Sequence, residues 1–419
     1  MSARSSLAGT AALAVSAAVT AGLLVAPDPA HARPHGSDGG RHAPAQRAMD
    51  AAVEDGVPGV TGQARDAYGT WNGTSGVGDL TTGRPRGSRD HYRVGSVTKT
   101  FVATVLLQLV GERKLDLEDT VDRWLPGLVR GNGHDGRRVT VRQLLNHTSG
   151  IYDYYADDDF AASFRLRDGF FEHRYDTWRP EQLVAVAMRH EPTSATPGRT
   201  WHYSDTNYIL AGMILEKITG HSYAHEVRKR IIEPLKLRET SVPRTGPGMP
   251  RPSSRAYSKL SDDSTGPSYD VTEFNPSAAW TSGGMISDSA DLNRFHAALL
   301  GGRLLPERQL AEMKTTVPMS EEFPQAARYG LGIAERRLSC GRTVWGHHGG
   351  ILGSTTESVA TEDGRHALSF NFNGDWTGDS HAVIEAEFCG PGTGRTGGQS
   401  RLSAVSRSTR DSFAGLRTE

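Results

Sequence analysis

The chain has 419 residues, 47 basic and 48 acidic side chains, a formal net charge of −1 and 37% hydrophobic residues. This balance leaves no excess of positive charge with which to bind nucleic acids or anionic membranes. Two cysteines exclude a disulfide-rich scaffold, a cysteine-rich zinc module and an iron–sulfur protein. A mean hydropathy of −0.47, with 48 Gly and 21 Pro, describes a water-soluble, loop-rich globular chain.

The first 32 residues have the pattern of a secretory signal peptide. Arg4 precedes an apolar stretch from Leu7 to Val25, and the small-x-small sequence Ala-His-Ala follows at 30–32. The stretch is diluted with Ala, Gly and Thr and is short for a membrane span. We therefore expect cleavage near Ala32, a secreted product and no stable membrane anchor.

The rest of the chain is expected to form one domain between two disordered ends. Residues 33–48 and 390–419 are rich in small and polar residues and lack apolar periodicity, which predicts disorder. The domain then spans 49–389, with a helical subdomain at about 112–275. No internal repeat divides it further.

Apolar spacing predicts the elements of this domain. Short runs broken by turn residues favour strands before Tyr92, and apolar residues at helical spacing predict a buried helix over 98–111. Helices follow through the middle, and strands return at 329–333, 343–345 and 366–373. This order predicts an α/β (α+β) fold, in which one antiparallel sheet from the N- and C-terminal segments is flanked by helices.

Ser96 and Lys99 form the sharpest local motif, Ser-x-x-Lys, at the start of the buried helix. Unpaired N–H groups at a helix start favour a developing alkoxide, and a side chain one turn on shares a face with Ser96. An ordinary serine needs such help to act as a nucleophile. The motif predicts a nucleophilic Ser96; the alternative is a helix-capping serine beside a solvated lysine.

Two later segments complete an ordered set of three motifs. Residues 203–205 (Tyr-Ser-Asp) precede a predicted helix, and residues 347–349 (His-His-Gly) end a predicted strand. With the Ser-x-x-Lys motif and the stretches 143–150 and 280–284, the chain resembles the class C β-lactamase and Streptomyces-type D-alanyl-D-alanine carboxypeptidase family of penicillin-recognising enzymes. The resemblance covers the whole expected domain and implies the β-lactamase/transpeptidase-like fold.

The resemblance implies an acyl-enzyme mechanism without a metal or other cofactor. Ser96 would attack a carbonyl, and Tyr203 would act as general base and then as acid, with its pKa lowered by nearby cations, Lys99 among them. The backbone N–H groups of Ser96 and Gly350 would form the oxyanion hole. The other expected substrate-binding residues are Asp205, Trp280, His347 and Gly349.

Three positions depart from the family pattern and bear on specificity. Asp205 stands where the family usually has Asn, so a carboxylate replaces an amide donor. His348 replaces a Thr hydroxyl. Ala334 stands near the position where the carboxypeptidase has an Arg for the carboxylate of its substrate. We expect intact acyl-transfer chemistry with altered specificity.

Cys340 and Cys389 are expected to form a disulfide, because two lone thiols outside the cell are more often bridged than free. Two buried free thiols are the alternative. The position of Cys340, seven residues before His347, is similar to that in the secreted carboxypeptidase, so the resemblance implies the same bond.

The sequence thus predicts a serine hydrolase for a small peptide, ester or β-lactam, with D-alanyl-D-alanine carboxypeptidase-like activity on peptidoglycan-type peptides as the leading interpretation. Alternatives are an esterase, D-aminopeptidase or β-lactamase of the same family, or an inactive penicillin- or peptidoglycan-binding relative. A metal hydrolase is disfavoured, because His221 and His225 lie four apart without a His-Glu-x-x-His motif. No nucleic-acid partner is expected, and the protein is expected to be a monomer.

Overall fold

The structure is a computed structural model that describes residues 40–261, 264–322 and 324–390. The expected signal peptide and nearly all of the expected C-terminal tail lie outside these residues. Within them, the α-helices are α1 (Ala43–Glu54), α2 (Thr98–Gly111), α3 (Val121–Trp124), α4 (Val141–Leu145), α5 (Asp158–Phe164), α6 (Arg167–His173), α7 (Pro180–Ala187), α8 (Asp205–Thr219), α9 (Tyr223–Val227), α10 (Glu233–Leu235), α11 (Trp280–Gly283), α12 (Ser289–Leu300), α13 (Glu307–Met313) and α14 (Ser380–Cys389).

The strands of the same residues are β1 (Gly59–Asp66), β2 (Gly69–Gly76), β3 (Tyr92–Arg93), β4 (Arg130–Gly131), β5 (His134–Asp135), β6 (Tyr257–Ser258), β7 (Tyr269–Asp270), β8 (Ile286–Ser287), β9 (Val317–Pro318), β10 (Ala327–Tyr329), β11 (Ala334–Arg337), β12 (Thr343–Ile351), β13 (Ser354–Thr361) and β14 (Ala367–Phe372). Single 3₁₀ turns occupy Gly95–Val97, Tyr154–Ala156 and Pro276–Ala278, and one π-helical turn occupies Arg228–Ile232.

One eight-stranded sheet forms the centre of the fold, in the order β2-β1-β14-β13-β12-β11-β10-β9. Every neighbouring pair is antiparallel. The pair β1–β14 joins the two ends of the domain, with Val60 opposite Phe372. This arrangement confirms the predicted antiparallel sheet built from N- and C-terminal segments.

Helices cover both faces of the sheet, and all six residues of strand β14 are buried. Leu368 and Phe370 of β14 pack in one core with Met49 of α1 and Ile384 of α14. On the other face, α12 contacts β1, β13 and β14, and the larger core continues through α2 into the helical region. No helix in the described part of the chain has the length and apolarity that a bilayer span needs.

The helix predicted over 98–111 is confirmed as α2, which is buried along almost its whole length. Thr140 caps α4 in a capping box with Gln143, whose side chain accepts a hydrogen bond from the Thr140 N–H. Helix α2 packs against both α8 and α11, so the residues at its start are held by rigid elements.

Two expectations about the elements are wrong, and one strand was not predicted. Residues 43–48 are not disordered but begin α1, because Pro44 starts the helix and Ala45 and Met49 bury one face of it. Of the strand expected at 329–333, only Tyr329 lies in a strand, at the end of β10; residues 330–333 form the turn to β11, where Gly332 has a φ of +76°. Strand β13 was not predicted, because its Ser- and Thr-rich sequence lacks the expected apolar alternation.

A disulfide joins Cys340, in the turn between β11 and β12, to Cys389 at the end of α14. Replacing Cys340 with serine should lower the free energy of unfolding by roughly 4 kcal/mol, because the bond restricts the unfolded chain. Urea unfolding followed by tryptophan fluorescence measures the loss. Cys389→Ser should match it, and the double variant should lose no more than either single one. Additive losses would instead mean that the side chains act through packing.

Candidate active site

Ser96 lies in the 3₁₀ turn directly before α2. The turn begins at Gly95, whose φ of +51° favours glycine. A Cβ on Gly349 would lie 2.0 Å from the Val94 carbonyl oxygen, and one on Gly95 would lie 2.8 Å from the Gly350 carbonyl oxygen. Only glycine lets the turn and β12 meet this closely. The backbone of Gly350 is thereby brought to the Ser96 turn, as an oxyanion hole between their N–H groups requires.

Lys99 is fully buried in the first turn of α2, three residues after Ser96. Its Nζ donates to Ser96 Oγ at 2.9 Å, to Asp205 Oδ1 at 2.5 Å and to the Ser282 carbonyl oxygen at 2.8 Å. These three acceptors match the three donors of an ammonium group. Burial lowers the pKa of Lys99, whereas the neighbouring Asp205 carboxylate opposes the shift. The alternative of a solvated lysine is therefore wrong.

A second carboxyl group, Asp153, accompanies Asp205 beside the lysine. The N–H of Asp205, at the start of α8, donates to Asp153 Oδ1 at 3.0 Å, and so does the N–H of Tyr155 at 3.1 Å. Burial and the adjacent Asp205 charge raise the pKa of Asp153 to about 8. Asp153 was not predicted as a site residue, because only the folded contact between its loop and α8 distinguishes it from the other acidic residues nearby.

Tyr203 lies two residues before α8, and the neighbouring Ser96 hydroxyl favours a lower pKa of its phenol. Lys99 Nζ is 4.8 Å from the centre of the Tyr203 ring. Burial, reinforced by the Asp205 charge, raises the pKa of Tyr203 well above its usual value. The expected lowering of this pKa is therefore wrong: one ammonium, already paired with a carboxylate, does not outweigh burial. Tyr203 is a neutral phenol in the free protein.

His347 is buried on β12 and forms part of an aromatic cluster behind Tyr203. The Tyr329 hydroxyl donates to its Nε2 at 2.7 Å, and its Nδ1 hydrogen-bonds the carbonyl oxygen of His348. Burial, together with the nearby Lys99 charge, lowers the pKa of His347 well below its usual value. The ring is neutral, so it supplies hydrogen bonding to the cluster and no positive charge.

Trp280 begins α11 and is half-buried. Its indole packs edge-on against Tyr223 with ring centres 5.4 Å apart, and its carbonyl oxygen accepts from the Tyr223 hydroxyl at 3.4 Å. Helix α11 contacts the Ser96–Lys99 pair through the Ser282 carbonyl oxygen, which accepts a hydrogen bond from Lys99. A role for Trp280 as a wall of the substrate pocket stays a prediction.

His348, on β12, is held in an ion cluster that includes α14. Its Nδ1 lies 2.9 Å from Glu357 Oε1, which also accepts from Ser380 Oγ at 2.9 Å. Arg336 lies 2.9 Å from the other oxygen of the Glu357 carboxylate. Although burial alone would raise it, the Arg336 and His348 charges lower the pKa of Glu357 to about 2. Arg336 is therefore engaged with Glu357, which leaves its charge compensated before any substrate carboxylate binds.

One group among the described residues has three potential metal ligands within reach of one another: His221, His225 and Glu226. The two imidazoles are exposed, with ring centres 4.6 Å apart. Arg230 already donates to the Glu226 carboxylate at 2.6 Å. None of these residues contacts Ser96, Lys99 or their hydrogen-bond partners in the described structure, so this group is no part of the candidate active site.

The fold and the buried Ser-x-x-Lys pair define a serine hydrolase with the architecture of penicillin-binding proteins. Residues 45–384 match the family model described as Beta-lactamase. The chain belongs to the Beta-lactamase family. Among curated proteins it is similar to Penicillin-binding protein 4* of Bacillus subtilis (strain 168), at 28% identity over 71% of this chain and 64% of the relative.

Other relatives differ in their activities. Esterase EstB of Burkholderia gladioli is 34% identical over 39% of this chain and 41% of the relative. The chain thus matches less than two thirds of the length of either curated relative. The crystal structure of a D-stereospecific amidohydrolase from Streptomyces sp. has 59% identity and a TM-score of 0.80, covering 84% of this chain and 99% of that one. D-amino acid amidase from Ochrobactrum anthropi SV3, complexed with L-phenylalanine amide, has 28% identity and a TM-score of 0.69, covering 88% and 99%.

Proposed function

We propose that the protein is a serine amidohydrolase that cleaves amides of D-amino acids with a free α-amino group, through an acyl-enzyme on Ser96. The observation that carries this proposal is the pair Asp153 and Asp205 beside Lys99. Two carboxyl groups against one lysine favour a substrate that brings a positive charge. The likeness to a D-stereospecific amidohydrolase and a D-amino acid amidase supports the stereochemistry. Secretion and a monomeric state stay predictions from the sequence.

The same residues argue against the carboxypeptidase interpretation. A peptide ending in D-alanyl-D-alanine carries a carboxylate, which Asp205 would repel at the position where the family usually offers an amide donor. Arg336, which lies opposite Val344 of β12 in the sheet, is bound to Glu357. Arg336 could therefore bind a terminal carboxylate only by giving up Glu357, whereas Asp205 and Asp153 offer carboxyl groups to an ammonium.

Acylation can proceed as a proton relay that never leaves a free phenolate. Ser96 Oγ bonds to the amide carbonyl carbon while its proton passes to Tyr203 Oη, and the phenol proton passes to the leaving nitrogen. The C–N bond breaks and ammonia departs. Water then attacks the acyl-enzyme, gives its proton to Tyr203, and Tyr203 returns one to Ser96 Oγ. A neutral Tyr203 suits this relay, because it holds the proton that the amine requires.

Lys99 and the glycines would stabilise charge on oxygen during this sequence. The Lys99 ammonium donates to Ser96 Oγ, which favours the alkoxide-like nucleophile. The N–H groups of Ser96 and Gly350 would hold the carbonyl oxygen as it becomes an oxyanion. One such donor contributes about 3 kcal/mol in other hydrolases.

The proposal is tested with D-phenylalanine amide, its N-acetyl derivative and the L enantiomer. The kcat/KM for the free D-amide should exceed both others at least about tenfold, since one buried charge contact is worth about that much. Asp153→Asn should remove most of the preference for the free amine and leave the N-acetyl amide within about twofold. Asp159→Asn, an exposed carboxylate nearby, is the matched control.

The pH profile gives a second readout. Asp153 is protonated below pH about 8 in the free protein, so ammonium binding must release its proton, and kcat/KM for the free amide should rise with pH toward that value. Asp153→Asn should flatten this rise. Equal rates on free and N-acetylated amides would contradict the proposal. Faster cleavage of D-alanyl-D-alanine peptides than of amides would restore the carboxypeptidase interpretation.

A further inference from the structure

His147 is buried directly behind Tyr203, in the turn that follows α4. Its φ of +60° is the left-handed conformation, which is unusual for a residue with a side chain. The imidazole stacks on the Tyr203 ring with centres 4.2 Å apart and planes inclined by 32°. Its other neighbours are Tyr329, at 4.9 Å between ring centres, and Tyr208, at 5.4 Å. One face of the phenol ring thus rests on this imidazole.

The hydrogen bonds of His147 fix which ring nitrogen carries its proton. The backbone N–H of Ser204 and the side-chain amide of Asn207 both approach Nδ1 at 3.2 Å. A backbone N–H can only donate, so Nδ1 is the acceptor and Nε2 carries the hydrogen. Burial, with the Lys99 charge nearby, lowers the pKa of His147 well below its usual value. The ring is therefore neutral, with Nδ1 as an acceptor.

The turn of His147 holds the chain on both sides of Tyr203. The His147 carbonyl oxygen accepts from the N–H of His202 at 2.9 Å, just before Tyr203, and its ring accepts from the N–H of Ser204, just after it. Ser149 Oγ also donates at 2.6 Å to Asn207 on α8. Backbone and ring of one residue therefore fix the position of the phenol from two directions.

We propose that His147 is a positioning residue that holds the Tyr203 hydroxyl in line between Ser96 and the leaving group. The inference rests on the proposed function, since it concerns the proton that Tyr203 delivers. An amide nitrogen must be protonated before it departs, whereas p-nitrophenolate leaves without a proton. Displacement of the phenol therefore slows amide cleavage more than cleavage of an activated ester.

The experiment compares His147→Phe with wild type on D-phenylalanine amide and p-nitrophenyl butyrate. Phenylalanine keeps a ring against the phenol and removes the Nδ1 acceptor. Rates are expressed per active site, titrated with a fluorophosphonate that labels Ser96, so that unfolded protein does not count. We expect kcat on the amide to fall by roughly a hundredfold. The fall in kcat on the ester should be at least about tenfold smaller than that on the amide, and KM should be nearly unchanged for both substrates.

His296→Phe is the matched control, because His296 is also fully buried, hydrogen-bonds Ser358 Oγ through Nδ1 at 2.8 Å and has its pKa lowered to about 4 by burial. It should change the amide-to-ester ratio by less than about twofold. If His147→Phe yields too little folded protein, His147→Asn, which tolerates a positive φ, is the second variant, with the same expected ratio.

If wild type cleaves the amide and His147→Phe loses kcat equally on both substrates, or on neither, the role inferred for His147 is overturned. A wild-type protein that cleaves the ester but no D-amino acid amide would instead overturn the proposed function, and the role inferred for His147 with it. The wild-type amide rate thus separates the two failures.

Discussion

Replacing Ser96 with alanine should abolish turnover, lowering kcat/KM for D-phenylalanine amide by roughly 10⁴-fold or more. The loss follows from removal of the group that forms the acyl bond, since Lys99 and Tyr203 then have nothing to activate. Wild-type protein incubated with a fluorophosphonate should gain one adduct by intact mass, and Ser96→Ala should gain none.

Ser75→Ala is the matched control for this experiment. Ser75 lies on β2 in the sequence Gly-Thr-Ser-Gly. Of the serines in the chain, it comes nearest to the Gly-x-Ser-x-Gly nucleophile motif of α/β-hydrolases, although the final glycine is absent. The variant should label and turn over as wild type does. Labelling that persists in Ser96→Ala would mean that another residue is the nucleophile. Absence of labelling in both proteins would favour the inactive binding relative.

Replacing Asp205 with asparagine should lower kcat/KM for D-phenylalanine amide by roughly 10²- to 10³-fold, because removing one partner of a buried ion pair costs about 3–5 kcal/mol. The Lys99 ammonium would remain buried with the Ser96 hydroxyl and the Ser282 carbonyl as its acceptors. The same change restores the amide donor that the family usually has. Labelling by a fluorescent penicillin should therefore become faster than in wild type.

Opposite changes on the two substrates are the signature to measure. Asp291→Asn is the control, because Asp291 is also buried and ion-paired, with Arg294 at 2.8 Å, but it lies on α12 rather than beside Ser96. It should leave the ratio of amide hydrolysis to penicillin labelling within about twofold of wild type. A parallel fall of both rates in Asp205→Asn would mean that Asp205 supports the site without selecting its substrate.

The sequence suffices for those parts of the site that are local in the chain. Ser96 and Lys99 lie three residues apart, in the 3₁₀ turn and in the first turn of α2 that continues it, so their contact follows from local helical geometry. The antiparallel sheet was predictable because strand signals cluster at the two ends of the domain. The position of Asp205 at the start of α8 also followed from the apolar run behind it.

The remaining features depend on contacts between distant segments. Asp153 becomes a functional candidate only because its loop is hydrogen-bonded to α8. The direction of the Tyr203 pKa shift depends on how deeply the phenol is buried, which composition and spacing do not give. His348 substitutes for a hydroxyl in the motif, yet its partner Glu357 lies on β13, a strand without a clear sequence pattern.

The pairing of β1 with β14 has a consequence for folding during synthesis. Val60 cannot meet its partner Phe372 until nearly the whole domain has left the ribosome. Contacts so far apart in the chain make folding slow, because a very large loop must close before they form. The central sheet therefore cannot be completed until most of the chain has been synthesised, so the secretion predicted from the sequence would not meet a finished sheet at the membrane translocase. A fold completed by its last strand is compatible with export before folding.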